Sequence, residues 1–163
     1  MPFPDAEDNN RLKNATGGEG YPLFIVSNDL IPAYPPEFSI VNDPDVILKA
    51  TTANSFAERQ NYHFEIDTTE RFNSPLKMSA QMQHDGGIVK WSPGINLQDD
   101  VVYYWRVSPD STVDAGYRWH TSSFLYLSDG TNGWNQSHFY QYKKDKFHNM
   151  QLPENTRQFR YIE

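Results

Sequence analysis

Seven consecutive residues, Val101 to Val107, read Val-Val-Tyr-Tyr-Trp-Arg-Val and constrain this chain more than any other stretch. β-Branched and aromatic side chains suit a pleated, half-buried surface, so the segment reads as a strand. A period of two puts Val101, Tyr103, Trp105 and Val107 on one face and Val102, Tyr104 and Arg106 on the other. The first face is expected to fill a core. The second carries a charge and is expected to meet solvent. Leu97 precedes Tyr103, and Gln98-Asp99-Asp100 between them reads as a turn. A Leu, a tight polar turn and a Tyr opening a strand is the sequence form of a tyrosine corner. A strand so equipped needs a sandwich around it.

The flanking sequence supplies candidates. Phe38 to Val41 and Val46 to Ala50 read as short strands, the latter with Val46, Leu48 and Ala50 on one face. Tyr62 to Asp67 alternates, with Tyr62, Phe64 and Ile66 inward and His63, Glu65 and Asp67 outward, as in an antiparallel sheet with one wet face. Leu76 to Met82 is a weaker strand, His84-Asp85-Gly86-Gly87 reads as a hairpin turn, and Ile88 to Trp91 follows. Trp119 to Leu127 closes the set. The spacing predicts about seven short strands in an all-β, two-sheet antiparallel sandwich of the immunoglobulin or fibronectin type III kind. The prolines at 32, 35 and 36 belong on a sheet edge or between domains. Residues 1–22 are polar and Gly-rich, and read as a linker or the tail of a preceding unit. The sandwich is assigned to 23–127. Residues 128–163 read as a linker followed by a further unit or a packed appendage.

Composition narrows the functional classes. Aromatic residues make up 15% of the chain and there is no Cys, which removes disulfides, thiolate metal sites and a cysteine nucleophile. A net charge of -7 repels phosphate backbones, so nucleic acid is not an expected partner. No apolar run approaches the roughly 20 residues of a membrane span, so no membrane insertion is expected. Met1 to Asp5 lacks the basic and apolar regions of a signal peptide.

Several stretches together carry a resemblance: Phe64 to Thr69, Phe72 to Pro75, Val102 to Ser108, Ser123-Phe124 and Gly133-Trp-Asn-Gln-Ser-His138. Over residues 36–142 the chain resembles a fibronectin type III-like module of large secreted Bacteroidota proteins. Those proteins are similar to the gingipain-like cysteine peptidases exported by type IX secretion. The resemblance implies an extracellular accessory domain at the bacterial cell surface rather than a catalytic one. Asp67-Thr68-Thr69 and Asp110-Ser111-Thr112 are similar to the Bacteroidota O-glycosylation pattern, which implies Thr68 and Ser111 as acceptors.

The remaining chemistry is thin. Among the five histidines no pair has the spacing of a helical zinc site. His63 and Glu65 share a strand face, more simply a solvated polar surface than a half-site, and His63 and His120 offer a cross-strand pair. Asp43, Asp45, Asp99 and Asp100 offer hard oxygen ligands for calcium, but Asp-Pro-Asp is equally a turn whose carboxylates bond local amides. No cofactor or metal is expected. There is no Gly-x-Ser-x-Gly elbow, and no enzyme is expected. Trp105 and Trp91 are assigned to the core. Trp119 and Trp134, with Gln136, His138 and Tyr140, are the candidate ligand- or partner-binding residues, because Trp and Tyr dominate interface hot spots and sugar platforms; the plainer reading has both Trp cover the sandwich ends or seal an interdomain joint. The expected function is a non-catalytic module that spaces or docks neighbouring domains or protein partners. Glycan binding and membership of an outer-membrane secretion complex are the alternatives.

Overall fold

A computed structural model describes residues 29–110, 116–135, 139–143 and 145–162. These form an all-β sandwich. One sheet has three strands in the order β1 (Leu30–Tyr34), β3 (Leu48–Thr52) and β6 (Ile88–Trp91). The other has six, in the order β5 (Met78–His84), β4 (Gln60–Asp67), β7 (Val101–Pro109), β8 (His120–Tyr126), β2 (Ser39–Val41) and β9 (Gly133–Trp134). Pairing is antiparallel except between β2 and β8. The described residues therefore carry more strands than the expected seven, because the proline-rich segment and the tail both add short ones. Pro32 lies in β1, on a sheet edge where its missing N–H is tolerated, beside a register shift. Residues 35–38 then carry the chain from the small sheet to the large one.

The core lies between the sheets. Leu48, Ala50 and Val89 of the small sheet meet Tyr62, Phe64, Ile66, Tyr103, Trp105, Val107 and Phe124 of the large one. All four expected inward residues of β7 join this cluster, Val101 from its margin. Trp105 has no exposed surface, and Trp91 packs against the cluster from its rim. The tyrosine corner is present: Gln98 N–H donates to Tyr103 Oη at 2.8 Å. Asp100 in that turn sits at φ 58°, a left-handed position that Asp tolerates better than most residues, and its N–H donates to Tyr126 O at 2.9 Å.

Residues 84–87 are not a hairpin. β5 belongs to the large sheet while β6 pairs with β3 in the small one, so the connection crosses between layers. Gly86 makes the crossing possible: a Cβ there would lie 2.5 Å from Ser55 O and 2.6 Å from Ala57 N. The pattern of alternation marks β6 and places β5 two residues early, since Leu76 is exposed and His84 ends the strand, and it does not say which partner each will choose.

Beyond Trp134 the described chain forms one helical turn, α1 (Phe139–Tyr142), and the antiparallel pair β10 (Met150–Gln151) and β11 (Arg160–Tyr161). Phe159 packs edge-on against Tyr142 and Phe147 at 5.7 and 5.1 Å. Arg157 Nη2 reaches Glu70 Oε2 and Arg71 Nη2 reaches Glu154 Oε2, each at 3.4 Å, which ties this tail to the loop after β4.

Candidate functional site

The outer face of the large sheet departs from expectation. Register sets His63 beside Ser108, Glu65 beside Arg106 and Thr121, and Asp67 beside Tyr104 and Ser123. This face was expected to be wet, with Arg106 as a solvent-facing charge. Instead Tyr104 and Asp67 are buried and Arg106 is mostly covered. The cover comes from outside the strands. Phe72, from the loop after β4, and Trp119, just before β8, place their rings 4.1 and 4.3 Å from the Arg106 guanidinium carbon. Arg106 Nε donates to Glu65 Oε2 at 2.7 Å, and Lys77 Nζ lies 2.8 Å from Glu65 Oε1. The layer continues through Tyr117, 5.2 Å from Trp119, to His63, whose ring meets Tyr117 edge-on at 4.8 Å. His63 Nε2 lies 3.1 Å from Asp110 Oδ1. His63 and Glu65 are thus each engaged with a protein charge. His120 sits opposite Val107 on the core-side face, so the register separates it from His63.

Asp67 is the most enclosed carboxylate of this layer. It accepts hydrogen bonds from Thr68 N at 2.7 Å, Ser74 N at 2.9 Å and Thr69 Oγ1 at 3.2 Å, and a short one from Ser74 Oγ. Burial pushes its pKa up, but the Ser74 hydroxyl, the Ser74 and Thr68 amides and the Thr69 hydroxyl together outweigh burial and hold it below the ordinary value. Asp67 therefore organises the 68–74 loop that carries Phe72 over Arg106. Within it Thr68 is half-buried, its hydroxyl donating to Ser74 Oγ at 3.4 Å. Ser111, the other glycosylation candidate, lies outside the described residues, as do Gln136 and His138. Tyr140 falls in α1.

Trp119 and Trp134 do not converge. Trp119 sits just before β8, whereas Trp134 pairs with Ser39, itself opposite Phe124. Five residues along a strand and two strand spacings put the two rings on the order of 20 Å apart. Their settings differ too. Trp119 is half-buried and engaged with Arg106 and Tyr117, though its edges border two hollows, one shared with Ile31, Pro32 and Glu37 and one with His63 and Gln81. Trp134 is 70% exposed. It stands on β9 at the outermost edge of the large sheet, anchored by Asn135 N–H donating to Phe38 O at 2.7 Å. Beside it an open hollow of about 210 Å³ is lined by Tyr34, Pro36, Ile40 and Asn132. Sequence reasoning missed Tyr34, Pro36 and Ile40. For Tyr34 and Pro36 the available signal was the proline-dense segment, expected on a sheet edge or between domains, and for Ile40 the expected 38–41 strand.

The acidic candidates for calcium are used locally. Asp43 Oδ1 accepts from Asp45 N at 2.9 Å, and Asp99 Oδ1 accepts from Ser128 N at 2.5 Å. That amide holds the Asp99 carboxyl below its usual range. Among the described residues no three His, Asp or Glu side chains are grouped so as to hold a metal ion. No family model, curated protein or solved structure matches the chain.

Proposed function

We propose that the chain is a non-catalytic sandwich module of a secreted or cell-surface multidomain protein, and that it docks a neighbouring domain or protein partner through the Trp134 edge. The observation that carries this reading is the placement of one large, mostly uncovered Trp beside an apolar hollow at a sheet edge. Large uncovered aromatics flanked by apolar surface are typical contact anchors. The internal pairing of His63, Glu65, Arg106 and Asp67 supports a scaffold role for the outer face, because each group is committed to holding a loop or a ring. The resemblance to fibronectin type III-like modules of type IX-exported proteins supports the extracellular setting.

Titration of the chain against the domain that adjoins it in its parent protein tests this. Trp134→Ala is expected to weaken association at least about tenfold, the cost of removing a hot-spot aromatic, while Trp119→Ala weakens it less. Association unchanged by Trp134→Ala would remove this edge from the account. Hydrolysis of a peptide or glycoside by the chain, abolished by a point substitution, would refute the non-catalytic reading. The same exposed ring favours glycan binding as a second reading, since sugars stack on open aromatic faces beside amides such as Asn132. Glycan binding lost in Trp134→Ala would select it.

A further inference from the structure

The opposite edge of the large sheet is β5, which among the described residues pairs with β4 alone. An edge strand turns alternate N–H and C=O groups outward, and proteins blunt such edges with Lys, Pro, bulges or short length. The edges at β1 and β9 are treated this way: β1 carries Pro32 and a register shift, and β9 has two residues. By contrast, β5 runs for seven residues, Met-Ser-Ala-Gln-Met-Gln-His, with no Pro and no Lys. Its register with β4 is unbroken from Gln60↔His84 to Ile66↔Met78. Among the described residues its outer edge is an unbroken pairing template.

We propose that β5 pairs with β5 of a second copy of this chain, antiparallel about a two-fold axis at Gln81, joining the two large sheets edge to edge. The sequence around Gln81 is self-complementary in that register. On the outer face Ser79 meets the partner's Gln83, and Gln81 meets the partner's Gln81. On the core-side face Ala80 meets the partner's Met82 and Met78 meets the partner's His84, beside the apolar layer to which Met78 and Met82 already contribute. A slip of one residue would set Ala80 and Met82 against glutamine or serine. One residue beyond each end, Lys77 meets the partner's Asp85. Within one chain Lys77 already lies 2.8 Å from Glu65, and Asp85 lies 3.3 Å from Arg59 Nε. The joint therefore runs Glu65, Lys77, the partner's Asp85, the partner's Arg59, alternating in sign, and its two-fold mate repeats it. Because this edge is remote from Trp134, it stands or falls apart from the docking reading.

The absence of cysteine makes the register directly testable. Residues opposite each other in an antiparallel pair have Cα atoms about 4.5–5.5 Å apart, within the span a disulfide bridges. Gln81→Cys, at an exposed position, is expected to give a covalent dimer under mild oxidation. Ser79→Cys should not, because two copies of residue 79 lie roughly 13 Å apart along the strands. Adding Asp85→Lys to Gln81→Cys opposes two lysines and is expected to cut the cross-linked yield about tenfold. Sedimentation of the unaltered chain should show concentration-dependent mass approaching two copies. A folded Gln81→Cys chain that stays monomeric, or equal cross-linking by Ser79→Cys, would overturn the pairing, leaving the edge to a different partner or to none.

Discussion

Arg106→Ala separates a decorative charge from a structural one. The side chain donates to Glu65 at 2.7 Å and lies over the rings of Phe72 and Trp119, with only about a quarter of it exposed. Breaking a fully buried ion pair costs about 3–5 kcal/mol, and a covered cation–π contact contributes about 1–2 kcal/mol. Two discounts apply. The guanidinium keeps some contact with water, and Lys77 remains to pair with Glu65. The expected loss is therefore about 2–3 kcal/mol, or roughly 4–12 °C in Tm for a chain of this size. Urea unfolding at neutral pH measures it as a shift of midpoint at constant slope. A double-mutant cycle with Trp119→Ala should show coupling, since the indole contacts the guanidinium directly. A loss below about 0.5 kcal/mol, typical of a surface substitution, would refute the covered-face description.

Trp105→Ala should destabilise by about 3–5 kcal/mol in the same assay, because the indole is enclosed on all sides. Tyr103→Phe removes the acceptor for Gln98 N–H and nothing else, so a loss of about 1 kcal/mol is expected. Asp67 sits below its ordinary pKa of 3.8, so its ionised form favours the folded state. That contribution is present above the ordinary value and is lost as pH falls through the lower, folded one. Asp67→Asn should therefore be less stable at neutral pH and lose less further stability in the acid range, followed by thermal unfolding from pH 7 to 2.

Strand periodicity carried the inner face of the sandwich. Tyr62, Phe64, Ile66, Tyr103, Trp105 and Val107 point where alternation puts them, because a one-residue slip would expose them all. The tyrosine corner was legible for a similar reason: its parts are local, a Leu, a turn and a Tyr within one short stretch. The outer face was not legible. What covers Arg106 is Phe72 from a loop and Trp119 from before a strand, and period-two reasoning has no term for a ring that reaches in from outside the strand. The same holds for residues 84–87, where turn chemistry marked a reversal but long-range pairing sent β5 and β6 to different sheets. Trp134 was legible as a candidate by its polar surroundings in sequence. Its hollow was not, since Tyr34, Pro36 and Ile40 come from a segment about a hundred residues earlier that meets β9 through the direct antiparallel pairing of β2 with β9.

The two tryptophans differ in setting: Trp134 stands open at the sheet edge and is the proposed contact, whereas Trp119 braces Arg106. Acrylamide quenching of intrinsic fluorescence in single Trp→Phe variants tests it most directly, because the chain has four Trp in distinct settings. Trp134→Phe is predicted to remove the most quenchable part of the emission, and Trp105→Phe to leave that part intact. If Trp119→Phe abolished it and Trp134→Phe left it unchanged, the assignment would be reversed and the docking edge contradicted.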